Sequence, residues 1–272
     1  MTAEIYIPGF TITCLMITAI ICIVAVLAAW YTVRSRVKFS QIILGAFAYV
    51  LVMLLQNLLG MLGQGLPQTG VGFALFLALS MAAAREVIRY PAMRFGVRAN
   101  FNDTDASIGF ALGFAGLYLL ICGAYYFNCY TVATEYVKTG MDAFMINAGE
   151  DSAEALELLN VIAGQGPWQF VCTGVSRVLF LVREIALCVL LWYAMTEENK
   201  RMLFVLVPVM SFLAFLPDGL YQAEVLGNSY ARDIAACLIS AAAAVPAARL
   251  YNAREDQVAH FKVERLRTRR RR

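Results

Sequence analysis

This chain is short of histidine, of charge and of recognisable catalytic loops, and each shortage excludes something. Its one histidine, His260, stands in the C-terminal tail. That removes every mechanism needing a histidine base or histidine metal ligands inside the hydrophobic segments. The seven cysteines (Cys14, Cys22, Cys122, Cys129, Cys172, Cys188 and Cys237) lie scattered in apolar context with no CxxC pair. Neither a zinc site nor a disulfide framework is indicated, and the cysteines read as small buried hydrophobes. No Walker loop, no GxGxxG after a strand and no GxSxG elbow occurs, so the corresponding nucleotide and acyl-transfer chemistries have no footing. Charge is scarce, at 15% of residues against roughly 25% in soluble domains.

What is abundant is apolar surface. The chain is 61% hydrophobic with a mean hydropathy of +0.67. A span needs about 20 apolar residues, so 272 residues accommodate about seven. The expected fold is all-α, a polytopic transmembrane helical bundle. Its spans are expected at about 8–32, 39–63, 70–91, 107–130, 168–196, 202–217 and 231–251. Residues 1–252 form a single transmembrane domain and 253–272 a basic cytoplasmic tail. The first apolar run lacks a basic region before it and is too long for a cleaved signal peptide, so it reads as a retained span.

Basic residues fix the expected orientation. Sixteen of the 22 Lys and Arg fall on one side, including Arg34, Arg36, Lys38, Arg94, Arg98 and the nine from Arg249 onward. Only Lys138 and Arg232 fall on the other, and four lie within spans. The N-terminus is therefore expected outside and the C-terminus in the cytoplasm. The run from His260 to Arg272 reads as a topology anchor attracted to anionic lipid, at about 1 kcal/mol per basic residue. The largest outer loop, about 131–167, is acidic. Within it Asp151 and Glu154 have capping-box spacing, Leu156, Leu159 and Ile162 form an apolar stripe, and Gly164 ends the segment. That short helix is expected to lie on the membrane, to lid a cavity, or to pack on the bundle.

Six ionisable residues inside the spans carry the functional argument. Arg85, Glu86 and Arg89 sit in the third span; Arg177, Arg183 and Glu184 sit in the fifth. A charge at the bilayer centre costs roughly 2.5–3.5 kcal/mol on insertion scales, and such residues mark functional sites by default. Arg85 and Arg89 are four apart and Glu86 and Arg89 three apart, so all share one broad helix face. Cross-pairing is expected: Glu86 with Arg177 or Arg183, and Glu184 with Arg85 or Arg89. Four positive charges against two negative leave guanidiniums for carbonyls, water or an anionic ligand, because arginine does not deprotonate. A closed salt-bridge network that fixes helix packing is the competing reading. In the fourth span Gly109, Gly113 and Gly116 offer a close-packing face. Pro217 is expected to bend the sixth span or lead into the outer loop.

At these segments the chain resembles the YhfC family of bacterial intramembrane proteases, distant relatives of the CAAX-processing and bacteriocin-immunity membrane proteases. The family's third span carries two adjacent glutamates, then arginine three residues on, then tyrosine. Here that run is Arg85-Glu86-Val87-Ile88-Arg89-Tyr90, matching at Glu86 and Arg89. The family's GHGG-like turn with its following glutamate corresponds to Gly113-Phe114-Ala115-Gly116-Leu117-Tyr118, where Phe114 replaces histidine and Tyr118 replaces glutamate. The Glu-Arg pair of the fifth span appears as Ser176-Arg177, with Glu184 following. The sixth span's histidine and aspartate appear as Ser211 and Phe215, ahead of a family-like Leu220-Tyr221-Gln222. Pro167-Trp168 after the acidic outer segment is also family-like.

The resemblance implies a protease scaffold with Glu86 and Glu184 as its remaining catalytic candidates. Arg85, Arg89, Arg177, Arg183, Tyr118 and Ser211 become candidate binding residues. A carboxylate beside three arginines is held as the anion and makes a poor base. The chain is thus expected to be a degenerate member, a pseudoprotease that holds a transmembrane peptide or membrane-protein partner. Two alternatives stand beside it: an active glutamate-dependent intramembrane protease, and a transport subunit whose arginines line a cavity for an anion or lipid headgroup. No cofactor, metal or nucleic-acid partner is implied. The resemblance places the chain in a bacterial plasma membrane.

Overall fold

The computed structural model describes residues 5–98, 103–197 and 200–270, with side chains described except at Glu150 and from residue 254 onward. Among the described residues the regular structure is helical throughout. The α-helices are α1 (Gly9–Val33), α2 (Phe39–Gly63), α3 (Val71–Pro91), α4 (Asp105–Thr139), α5 (Met141–Ala148), α6 (Ser152–Ala163), α7 (Pro167–Thr196), α8 (Leu203–Gln222) and α9 (Ser229–Arg270). Seven of these elements are long and apolar enough to cross a membrane: α1, α2, α3 with its extension to Val97, α4, α7, α8 and α9 as far as Ala253. They are the seven expected spans, so the chain is a multi-span membrane protein.

Helices α4 and α7 form the centre of the bundle. Most of each is buried, whereas α1, α2 and α9 turn most of their surface outward. The outer helices show why. In α1 the buried residues are Thr11, Cys14, Leu15, Thr18, Ala19 and Cys22, a stripe at helical spacing made mostly of small side chains. Ile20, Val24, Leu27 and Trp30 face outward, as suits a surface solvated by lipid rather than water. Small residues on the inner stripe let backbones approach closely, which drives helix association where no hydrophobic force operates between helices. The closest approach joins α2 and α4. A Cβ on Gly45 would overlap the Phe110 carbonyl, and one on Gly113 would overlap the Ile42 carbonyl. The glycine face expected on α4 is therefore used against α2, while Gly116 meets Val26 of α1.

Four elements run past their expected ends: α3 continues as a π-helical turn to Val97, α4 runs to Thr139, α8 to Gln222 and α9 to Arg270. Helix α4 does not stop near residue 130 but runs to Thr139. Its 35 residues rise about 50 Å, roughly 20 Å more than a hydrocarbon core. The overhang carries a small cap in which Leu159 and Ile162 of α6 and Phe144 of α5 pack on Cys129, Ala133 and Tyr136 of α4. The Tyr136 hydroxyl ties the start of the chain to this cap by donating to the Ile5 carbonyl at 2.7 Å. The amphipathic outer segment thus packs on the bundle. Asp151 stands at its N-cap and Gly164 at its C-cap, but Asp151 makes no capping hydrogen bond.

Pro217 neither ends nor exits α8, which continues through it to Gln222. Helix α3 changes pitch instead. Pro91 has no N–H to give the Val87 carbonyl, and the next residues, Ala92–Val97, wind as a π-helical turn.

Candidate functional site

Five of the six in-span charges come together in the middle of the bundle. Arg85 and Arg89 stack one turn apart on the inner face of α3 and reach across to Glu184 of α7, which is fully buried. Glu184 Oε1 lies 3.6 Å from Arg85 Nη1 and accepts a hydrogen bond from Arg183 Nη2 at 3.3 Å. Its other oxygen accepts from Arg89 Nη2 in a very short contact. Arg89 Nη1 donates to Glu86 Oε1 at 2.8 Å, so Arg89 bridges the two carboxylates. Glu184 pairs as expected, with both arginines of α3. Glu86 does not: its partner is Arg89 on its own helix, because the three-residue spacing brings the two side chains together without crossing to α7.

This core holds three guanidiniums and two carboxylates, and aromatic rings take up the imbalance. The Arg85 guanidinium lies 4.7 Å from the ring centres of both Phe180 and Phe215, with Tyr49, Phe114 and Tyr118 at 5.7–5.8 Å. Arg183 shares Phe180 and Phe215 at 4.6 and 5.0 Å. Arg89 faces Phe114 at 5.4 Å. Ring faces attract a cation most strongly where water is excluded, and guanidinium is weakly hydrated and stacks readily. The cage leaves Arg85 Nε and Nη1, Arg89 Nε and Arg183 Nε without hydrogen-bond partners. Arg183 Nη1 donates to the Ala214 carbonyl of α8 at 3.4 Å. Tyr118 belongs to this cage, its ring 4.5 Å from that of Phe180. Ser211 of α8 approaches Glu86 without a well-formed hydrogen bond.

Arg177 makes no ion pair with Glu86 or Glu184 and meets the cluster only at the Tyr118 ring, 5.7 Å away. It lies one layer toward the acidic end of the bundle and pairs with Asp218 at 3.9 Å. Asp218 also faces Arg232 at 3.8 Å, and Arg232 pairs with Asp233 at 2.8 Å. Asp233 accepts from Thr173 at 3.0 Å and from Ser176 at 3.4 Å. This second layer balances two arginines with two aspartates. Its aspartates and Arg232 were not expected, since they stand at span ends next to loops. The signal available was Thr173 and Ser176, three apart, placing two hydroxyls on one face of α7. Arg85, Arg89 and Arg183 are thus buried among rings and carboxylates, whereas Arg177 is a quarter exposed and faces Asp218.

The family model of the YhfC intramembrane metalloproteases matches residues 19–236. The chain belongs to the YhfC family. No curated protein and no solved structure is found to match it. The matched region takes in all of α2–α8 and both charge layers.

The family description implies a bound metal ion, and the described residues do not fit one. Among the described residues no three His, Cys, Asp or Glu side chains converge as a ligand set. Glu184 has both oxygens on arginine, and Glu86 faces Arg89. Three guanidiniums around those carboxylates repel a cation. His260, the only histidine in the sequence, falls outside the residues whose side chains are described. All seven cysteines are free, four of them buried, in keeping with packing residues.

Proposed function

We propose that this YhfC-family chain is a catalytically degenerate member, a pseudoprotease that holds a transmembrane segment or membrane-protein partner without cutting it. The observation that carries this reading is the state of the two candidate catalytic glutamates. Glu184 is fully buried and occupied by Arg85, Arg89 and Arg183; Glu86 is tied to Arg89. A carboxylate must reach water to activate it; Glu184 is sealed away from it, and one oxygen of Glu86 is held by Arg89. In this reading Glu86 and Glu184 are inherited positions that now set helix packing. The edge of α3 near Glu86, the one carboxylate of the cluster with an exposed fraction (14%), is where a membrane segment docks. Arg85, Arg89, Arg183, Tyr118 and Ser211 shape that edge from behind, and Arg177 does so from the next layer.

That 14% exposure also favours the rival reading, an active protease working through Glu86 and Glu184. Crosslinking separates the two. A photoreactive amino acid placed at Val87, which is 59% exposed beside Glu86, should trap membrane partners of full length. Recovery of truncated partners, with cleavage lost in Glu86→Gln, overturns the pseudoprotease reading. The basic end of the bundle is assigned to the cytoplasm of a bacterial plasma membrane, on the basis of the charge asymmetry, with the C-terminal tail on anionic lipid.

A further inference from the structure

A second polar feature lies apart from the buried cluster. At the basic end of the bundle, the π-helical turn after α3, the end of α7 and the start of α8 enclose an open cavity of about 580 Å³. Arg94, Arg98 and Arg201 line it, with Glu197 as the one acidic residue of the described lining, and Tyr90 and Phe204 also face it. The two rings pack edge to face at 5.8 Å, and Arg94 Nη1 donates to the Tyr90 hydroxyl at 2.6 Å.

The backbone explains how the arginines come to share one wall. Tyr90, Arg94 and Arg98 are spaced by four. A continuous α-helix would carry such a stripe steadily around its axis. In the wider π turn over Ala92–Val97 four residues fall short of a full turn, and Tyr90, Arg94 and Arg98 all reach the cavity. Single π turns inside α-helices concentrate at functional sites.

Chemistry and depth then define the occupant. Guanidiniums offer forked donors suited to phosphate oxygens, and among the described lining residues Arg94 and Arg98 of one helix end outnumber Glu197. It opens where α3, α7 and α8 leave the apolar layer, the level at which aromatic residues and phospholipid headgroups meet. We propose that this cavity binds a phosphate group, either the headgroup of an anionic phospholipid or a soluble phosphate. Arg94 and Arg98 hold the phosphate, Tyr90 and Phe204 supply the apolar side, and Glu197 weakens binding. The inference is independent of whether the family-type site cuts or holds.

The full-length chain in neutral detergent at 0.15 M salt is titrated with dioleoylphosphatidylglycerol, with dioleoylphosphatidylcholine and with inorganic phosphate. Binding is read from the unfolding midpoint. Phosphatidylglycerol should raise the midpoint saturably and phosphatidylcholine should not. Each arginine removed should weaken binding about fivefold, so R94Q/R98Q needs far more lipid although its basic tail is intact. Inorganic phosphate acting as strongly as phosphatidylglycerol assigns the site to a soluble phosphate. Glu197→Gln should tighten binding several-fold, and it serves as the test if R94Q/R98Q fails to fold. Equal responses to both lipids, or unchanged affinity in R94Q/R98Q and in Glu197→Gln, overturn the proposal.

Discussion

Neutralising Glu184 should destabilise the bundle more than neutralising any other charge in it. Glu184→Gln keeps the size of the side chain and removes the carboxylate that faces Arg85, Arg89 and Arg183. Arg89 keeps Glu86, and Arg183 keeps the Ala214 carbonyl, but Arg85 is left with aromatic rings alone. Removing one partner of a buried ion pair costs about 3–5 kcal/mol, because the other charge stays buried without compensation. At about 2–4 °C per kcal/mol for a chain of this size class, the midpoint should fall on the order of 10 °C. Trp192, fully buried in the main core cluster, gives a fluorescence readout in detergent. Glu86→Gln is the internal control: Glu86 has one arginine partner and is partly exposed, so its loss should be clearly smaller. The double variant E184Q/R183Q should lose less than the sum of its singles, since residues of one network couple by about 0.5–3 kcal/mol. A midpoint for Glu184→Gln within a degree of the parent, or a larger loss for Glu86→Gln, would refute this account of the cluster.

Other positions give independent checks, each read as the same unfolding midpoint. Asp233→Asn weakens acceptance from Thr173, Ser176 and Arg232 and should cost about 1–3 kcal/mol, acting on the second charge layer without touching the first. Gly113→Val drives a side chain into the Ile42 carbonyl of α2. The loss should be at least the roughly 1–3 kcal/mol of an overpacked core, whereas Gly72→Val meets open space and should be tolerated in packing. Tyr136→Phe should cost about 1 kcal/mol and loosen the segment from Ile5 to α1, because its hydroxyl holds the Ile5 carbonyl.

Hydropathy located the spans because lipid-facing and buried residues are apolar alike, so the signal does not depend on which face turns inward. It failed where polarity rose without the helix ending. Beyond residue 130 Thr131, Glu135 and Lys138 lower the hydropathy of α4, yet Cys129, Ala133 and Tyr136 continue an inner stripe that the cap covers. The meeting of the third and fifth spans was legible from charge alone. Its detail was not, for reasons of distance. Arg177 and Glu184 share a helix face, but seven residues rise about 10 Å, too far for Arg177 to join a network centred on Glu184. It pairs instead with Asp218, which stands after a proline that ends nothing. The aromatic cage was equally hidden. Phe180 and Phe215 come from different helices, and spacing along one helix says nothing about a ring arriving from another.

The central claim is that this family member holds membrane segments and does not cut them. The most direct test reconstitutes the full chain in liposomes with a panel of single-span peptides, with and without added zinc, and reads every peptide by intact mass. The account predicts peptides retained at full length under both conditions, with no change in Glu86→Gln or Glu184→Gln. Reproducible cleavage by the parent chain, abolished by either substitution while the protein stays folded, would contradict it.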